Sequence, residues 1–503
     1  MNSLRRQLDA LAAIDPAAPS IEFERTWYSW GTIASAMRSL RDLLAQAGLP
    51  EHARVAVVLR NRPESACAML EVLAADQSLV TLNAMYPDDK LAADVAAVQA
   101  PAVVASTQDW QRAGFEQAAR STGALGIEGR SRSDGSCDYV VRLPADSSRW
   151  SRSSAPDVAV EMLTSGTTGT PKRIPLTRQK FAAAVADWSM YEKGREAAAP
   201  KLRGGVQVLH ASMAHIGGLG GMINAMLSGR KVCLLERFKV ESFHDAVVRH
   251  RPLAGNGPPT VLRMILDANI PREDLSSLRA FRVGTAPLDP ALADEFHERY
   301  GIPILQNYGA TEFAGGVAGW TIEDFKAHYP AKRGSVGRLN PGIQGRTIDP
   351  ETGAAQPPGS RGVLELTSPT LGEDGSWIRT TDLATVDSDN FLFLHGRADN
   401  VIIRGGFKIS PDDIVRALEQ HPCVKEAAVI GLPDDRVGQA PAAAVTLRAG
   451  AEAVDAAQLA GYELNPDFNG PRQNGIGLYN FTQKNGERVT AEGAYIDPVR
   501  HRP

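Results

Sequence analysis

Apolar positions run along this chain in two patterns that take turns. WGTIASAMRSLRDLLAQAG (30–48) spaces them as a helix does, and RVAVVLRN (54–61) then gathers them into a continuous run, as in a strand buried on both faces. The pair recurs in KLAADVAAVQA (90–100) and PAVVAST (101–107), and VAVEML (158–163) reads as a further buried strand. Helix and buried strand in alternation predict an α/β fold, layered around a largely parallel sheet. Beyond Asp374 the pattern changes. Alternating FLFLHGR (391–397) precedes ADNVIIRGGFKISPDDIVRALEQHP (398–422). There Ser410 is placed to cap a helix, Pro411 to open it, Asp412 and Asp413 to favour its positive end, and His421 with Pro422 to close it. VKEAAVIGLPDD (424–435) reads as a strand, so a small α+β unit is expected after residue 399. No internal repeat is visible.

A chain of 503 residues exceeds one compact core, and two or three domains are expected. Lys and Arg total 54 against 58 Asp and Glu, a net charge of -4 that gives no reason to expect nucleic acid or an anionic membrane as partner. The four cysteines, Cys67, Cys137, Cys233 and Cys423, lie far apart in sequence and fit a reducing cytoplasm better than a disulfide scaffold or a metal cluster. The N-terminus has no apolar core long enough for a signal peptide, because Asp9 and Asp15 interrupt it. Gly204 to Gly229 contains no Lys, Arg, Asp or Glu, yet Gln207, His210, His215, Asn224 and several glycines lower its hydrophobicity below that of a membrane span. It is expected to form a buried strand, loop and helix, with no integral membrane segment.

TSGTTGTPK (164–172) is the stretch with the most chemistry in it. Small hydroxyl residues and glycines let backbone N–H and side-chain O–H groups converge on an anion, and Lys172 adds a point charge. This is a phosphate cradle by composition. The spacing of a Walker loop is absent, since Gly166 and Gly169 are too close and Pro171 separates the second glycine from the lysine. A flexible linker has the same composition, although linkers seldom follow a buried strand directly.

With its companions, the stretch resembles the phosphate-binding loop of the adenylate-forming superfamily: AMP-forming acyl-CoA synthetases, carrier-loading adenylation domains and luciferases. VGTAP (283–287), QNYGATE (306–312), RTTDLA (379–384) and HGRADNVIIRGGFKISPDDI (395–414) follow in that family's order, with WGTIASAM and LVTLNAMYPDDKL (79–91) also similar. The resemblance covers about residues 25 to 450. It implies an N-terminal ATP- and acyl-binding domain (1–398), a mobile C-terminal domain (399–503), and ATP, Mg²⁺ and CoA as cofactors and co-substrate. Thr164, Ser165, Gly166, Thr167, Thr168, Gly169 and Lys172 would hold the β- and γ-phosphates, with Glu312 and Thr168 placing the metal. Gly284, Thr285, Ala286 and Pro287 would form the adenine side together with Asn307, Tyr308, Gly309, Ala310 and Thr311. Asp382 would accept the ribose hydroxyls and Arg397 would neutralise charge beside them. His215 would wall or gate the acyl pocket, with Gly217, Gly218, Gly284 and Gly309 leaving room for the chain, although Gly217 and Gly218 read equally as helix-packing glycines. Asp399 stands at the hinge, and Gly405, Gly406 and Phe407 along the pantetheine path. Taken singly, a histidine among apolar residues, a turn-forming aspartate or a surface glutamate each has a purely structural reading.

The implied activity is that of an AMP-forming acid–thiol ligase: a carboxylate attacks the α-phosphorus of ATP, and a thiol then takes the acyl group from AMP. The fragment VLHASMAHIGGLGG (208–221) has no Lys or Arg, which favours an apolar or aryl acid over a dicarboxylate. Which acid, and the oligomeric state, are left open. One family element is missing. The closing segment of type P-x-x-x-x-G-K, whose lysine reaches the reacting carboxylate and α-phosphate, has no match in the sequence beyond about residue 460. In KNGERV (484–489) Glu487 stands in the lysine's place and Lys484 lies three residues earlier. A divergent end with another cation, a replaced end, and a nucleotide-binding protein that does not turn over are the three readings. A carrier-protein thiol in place of CoA is the further alternative.

Overall fold

The computed structural model describes residues 2–163, 172–190, 199–369, 371, 375–398, 402–404, 407–434 and 438–448. The chain divides into two compact units, Met1–Thr380 with Ala384–Leu394, and Thr381–Leu383 with His395–Pro503. The strands Ile378–Val386 and Leu392–Arg397 therefore each contribute residues to both.

In the larger unit a seven-stranded sheet runs Cys137–Leu143, Leu125–Ser131, Ala102–Ser106, Arg54–Leu59, Ser78–Asn83, Val158–Leu163, Arg173–Thr177. Its five inner strands are parallel and an antiparallel hairpin closes each edge. Every residue of Arg54–Leu59 is buried, as the unbroken apolar run requires of a strand covered on both faces. The helix Trp30–Gln46 buries Trp30, Ile33, Ala36, Met37, Leu40 and Leu44, the 3–4 spacing of one face, and Ser29 caps it by accepting from the Thr32 N–H at 3.1 Å.

A four-stranded sheet orders Val206–Leu209, Lys231–Leu234, Pro19–Phe23 and Thr26–Ser29. The uncharged stretch thus forms a strand, a loop and the helix Ile216–Leu227, as expected. At 12 residues that helix rises about 18 Å, well short of a bilayer core. Among the described residues no helix is long and apolar enough to cross a membrane. A five-stranded sheet orders Ala254–Gly257, Ala280–Val283, Ile304–Ala310, Gly315–Gly319 and Arg338–Leu339, the first three parallel.

The smaller unit contains a sheet of Phe407–Ile409, Ile402–Arg404, Gly438–Leu447 and Val424–Asp434, and the helix Pro411–Glu419. Pro411 opens that helix with Asp412 and Asp413 in its first turn, and Ser410 occupies the cap position without a side-chain capping bond. The cap expected of its hydroxyl is therefore not made. All four cysteines are free, with Cys67, Cys137 and Cys233 buried. Glu22, Cys233 and His250 cluster with a metal-ligand composition, but the Arg249 guanidinium lies 2.8 Å from both Glu22 Oε1 and His250 Nε2 and supplies the cation there.

Candidate active site

Residues 164–171, hence Thr164, Ser165, Gly166, Thr167, Thr168 and Gly169, lie outside the described residues, but the structure fixes both ends of their segment. Leu163 and Arg173 are cross-strand partners at the open end of the antiparallel pair Val158–Leu163 and Arg173–Thr177. Two ion pairs hold this stem. Arg54, only 2 % exposed, grips Glu161 through Nε at 2.5 Å and Nη2 at 2.6 Å, and its Nη1 donates to the carbonyls of Val98 and Arg152. Arg173 Nη2 donates to both oxygens of Asp94 at 2.7 and 2.8 Å, and its Nη1 to the Thr81 carbonyl at 3.1 Å. Lys172 is exposed beside that anchor. Removing one partner of a buried pair strands the other, so Arg54→Met is expected to destabilise the larger unit by about 3–5 kcal/mol, read as a lower denaturant midpoint.

A second group of residues follows the parallel strands of the five-stranded sheet. Gly257, Val283 and Gln306 stand side by side in register, so the loop carrying Gly284–Pro287 leaves its strand beside the point where Ile304–Ala310 runs on as Asn307–Ala310, paired there with Gly315–Gly319. Ligands of open α/β sheets bind at the carboxyl ends of the parallel strands. The backbone there is tightly determined. A Cβ on Gly284 would collide with Asn307 Oδ1, and one on Gly309 with the Gly315 carbonyl. Thr285 has φ +69°, a left-handed conformation that costs a β-branched residue about 1–3 kcal/mol and persists only where its surroundings impose it. Ala310 ends the strand Ile304–Ala310, and Thr311–Phe313 form a single 3₁₀ turn on which Glu312 is exposed. This turn packs beside both Gly315–Gly319 and the stem strand Arg173–Thr177. The segment bearing Glu312 and the strand that begins next to Lys172 are thereby neighbours.

His215 occupies the cap position of the helix Ile216–Leu227, donating its N–H to the Ser212 carbonyl at 3.0 Å. His215 is exposed, yet the protein packed around part of its ring lowers its pKa from the ordinary histidine value by desolvation. The ring is therefore neutral at pH 7 and suited to shape a pocket. The helix packs beside Gly315–Gly319, next to the Glu312 turn. Its glycines divide: Gly217 faces open space, whereas a Cβ on Gly218 would strike the Ser212 carbonyl. Gly218 is thus packed closely, which favours the helix-packing reading of this glycine over the one that gives room to an acyl chain.

Asp382 and Arg397 belong to the smaller unit by their contacts, tied to each other's neighbourhood by the Ala398 N–H donating to the Thr381 carbonyl at 2.7 Å. Asp399, Gly405 and Gly406 lie outside the described residues. Phe407 opens the strand Phe407–Ile409 and pairs with Arg404.

Sequence reasoning missed the residues that hold the loops: Arg54 with Glu161, Arg173 with Asp94, and Asn61. A signal existed for the first pair, since opposite charges sit inside two runs that each read as buried strands, RVAVVL and VAVEML. Buried charges need partners.

The AMP-binding enzyme family model matches residues 3–373, and the model of the AMP-binding enzyme C-terminal domain matches residues 416–463. Among curated proteins, 4-coumarate–CoA ligase-like 6 of Oryza sativa subsp. japonica is 30% identical over 326 residues, 59% of this chain and 54% of that protein. 4-Coumarate–CoA ligase-like 9 of Arabidopsis thaliana is 30% identical over 58% of this chain and 54% of its own length, so the chain spans about half the length of these relatives. 4-Coumarate–CoA ligase 3 of Oryza sativa subsp. japonica is 27% identical over 84% of this chain and 79% of that protein. Two solved structures share the fold. o-Succinylbenzoate CoA synthetase from Bacillus subtilis, in complex with its acyl-adenylate intermediate, has TM-score 0.72 at 21% identity, covering 90% of this chain and 91% of that one. ATP-bound MatB from Rhodopseudomonas palustris has TM-score 0.75 at 23% identity, covering 92% of each chain. With family models that together match most of the chain, one over the large α/β unit and one over the small α+β unit, the chain belongs to the adenylate-forming family of AMP-binding enzymes.

Proposed function

We propose that this chain is an AMP-forming carboxylate–CoA ligase acting on an apolar or aryl acid. The carrying observation is the hairpin stem whose two ends, Leu163 and Arg173, are paired and held by one buried and one half-buried ion pair, with the strand that starts just after Lys172 packed beside the turn that bears Glu312. Such a frame presents hydroxyls, backbone N–H groups and a cation to one polyanion.

In the first half-reaction a carboxylate oxygen bonds to the α-phosphorus of ATP as the bond to the β-phosphate oxygen breaks, and pyrophosphate carries away the electron pair. No protein nucleophile is needed, and fixed donors at the site of charge redistribution supply the catalysis. Residues 164–169 and Lys172 hold the β- and γ-phosphates; the strained Gly284–Pro287 loop and Asn307–Thr311 form the adenine side. An exposed carboxylate near hydroxyls and phosphate suits a hard cation, so Glu312 with Thr168 would hold Mg²⁺, which neutralises phosphate charge when bound. Asp382 accepts the ribose hydroxyls, and Arg397 offsets charge beside them. In the second half-reaction the CoA thiol gives its proton to solvent, its sulfur bonds to the acyl carbon, and the acyl C–O bond breaks as AMP leaves with the electron pair. Rotation about Asp399 admits the pantetheine arm along Gly405, Gly406 and Phe407.

CoA is favoured over a carrier protein because the curated relatives are named as CoA ligases. An acid with no second charged group is favoured because the helix after His215 carries no charged side chain. Free, buried thiols accord with a reducing cytoplasm.

The test is AMP formation with ATP, Mg²⁺ and CoA across a panel of 4-coumarate, benzoate, a medium-chain fatty acid and malonate. The aryl or fatty acids are expected to turn over with the matching acyl-CoA mass as product. Malonate as the preferred acid would refute the substrate class, and acid-independent AMP formation would refute the ligase reading.

A further inference from the structure

The loop between the strand Val206–Leu209 and the helix Ile216–Leu227 carries His215, and one buried side chain from another sheet holds it. Asn61, 2 % exposed, stands two residues beyond the strand Arg54–Leu59 of the seven-stranded sheet. Its Nδ2 donates to the carbonyls of Ala211 at 3.0 Å and Leu235 at 3.2 Å, and its Oδ1 accepts from the Met213 N–H at 3.1 Å. The partners fix the amide's orientation, because two carbonyls face its nitrogen and an N–H faces its oxygen. Three strand ends from two sheets thus converge on one amide. Beside it Arg62 pairs with Glu236 at 3.2 Å, along the same seam.

The loop is held from a second side. His210 Nε2 lies 2.7 Å from the Asn256 carbonyl in the first strand of the five-stranded sheet, and burial lowers its pKa, so the neutral ring donates there. Ser212 then receives the His215 N–H on its carbonyl, and Gly218 packs against that same carbonyl. His210 and Asn61 therefore pin residues 210–213 to the sheets on either side, which leaves His215 little freedom at the helix start.

We propose that Asn61 is the positioning residue that sets the place of His215, and so selects the acid, without touching substrate. This rests on the ligase reading above. Asn61→Asp is nearly isosteric and keeps the acceptor for Met213, but it turns an anionic oxygen toward the Ala211 and Leu235 carbonyls. Losing two buried donors is expected to raise KM for the preferred acid by about tenfold or more. The rank order of the acid panel should broaden, while KM for ATP stays within about twofold. Asn61→Ser, which removes the two Nδ2 bonds and the Met213 acceptor with no added charge, should broaden the rank order in the same direction and covers the case in which the aspartate variant fails to fold. A purely structural role would lower stability and active fraction while leaving both KM values and the rank order unchanged. That result in the serine variant, or equal rises in KM for ATP and for acid, would overturn the proposal. Acid-dependent turnover by the unsubstituted protein is measured alongside, so a failure of the ligase reading appears there and not in the variants.

Discussion

Lys172→Ala is expected to lower kcat/KM for ATP by about two to three orders of magnitude, with little change in stability. Lys172 is exposed and precedes the strand Arg173–Thr177, so its removal leaves no cavity. Its backbone is not free to wander, because the next residue is anchored to Asp94 and to the Thr81 carbonyl. A cation held at a fixed place against the charge that gathers on departing pyrophosphate contributes about 3–4 kcal/mol to the barrier, the scale of one preorganised electrostatic contact. Arginine at this position should restore only part of the rate, since a planar fork does not reproduce a compact ammonium. Steady-state kinetics over an ATP series, with thermal unfolding of the same samples, checks both halves of the expectation. Wild-type kcat/KM in Lys172→Ala would remove this lysine from the phosphate site.

A second large effect concerns the two half-reactions. The P-x-x-x-x-G-K segment that closes the family's C-terminal domain has no match, and Glu487 stands where the nearest alignment would put its lysine. The C-terminal family model likewise ends at residue 463. Adenylation is the step in which that cation meets the carboxylate and α-phosphate; thioester formation begins from a finished acyl adenylate and does not require it. Pyrophosphate release from acid and ATP is therefore expected to be about a thousandfold slower than acyl-CoA formation from supplied acyl-AMP. Rapid-quench measurement of each step separately gives the ratio. Comparable rates would mean that another cation of this chain does the lysine's work.

How much of this was legible in the sequence follows from the physics of each feature. The buried strands were legible because a strand covered on both faces must be apolar throughout, as Arg54–Leu59 is after its first residue. Helix Pro411–Glu419 was legible from Pro411 and the two aspartates, local chemistry that acts within one turn, although the Ser410 hydroxyl does not complete the cap. The motif segments after Val283 and Gln306 were placed by resemblance, and the parallel register that sets them side by side could not be read from one sequence, since it depends on pairing across distant residues. Asn61 was hidden for the same reason: its partners lie 150 to 174 residues away and are backbone groups, which leave no mark on side-chain composition. Gly218 shows the limit from the other side, a glycine whose sequence context fitted space and helix packing equally and whose surroundings are filled by a carbonyl.

The central claim is that the segment between Leu163 and Arg173 grips the triphosphate of ATP. A crystal structure with Mg²⁺ and a non-hydrolysable ATP analogue tests it most directly. The β- and γ-phosphate oxygens are expected within hydrogen-bond distance of residues 164–172, with the adenine against Gly284–Pro287. Phosphates bound away from that segment, or an analogue that does not bind at saturating concentration, would contradict the account.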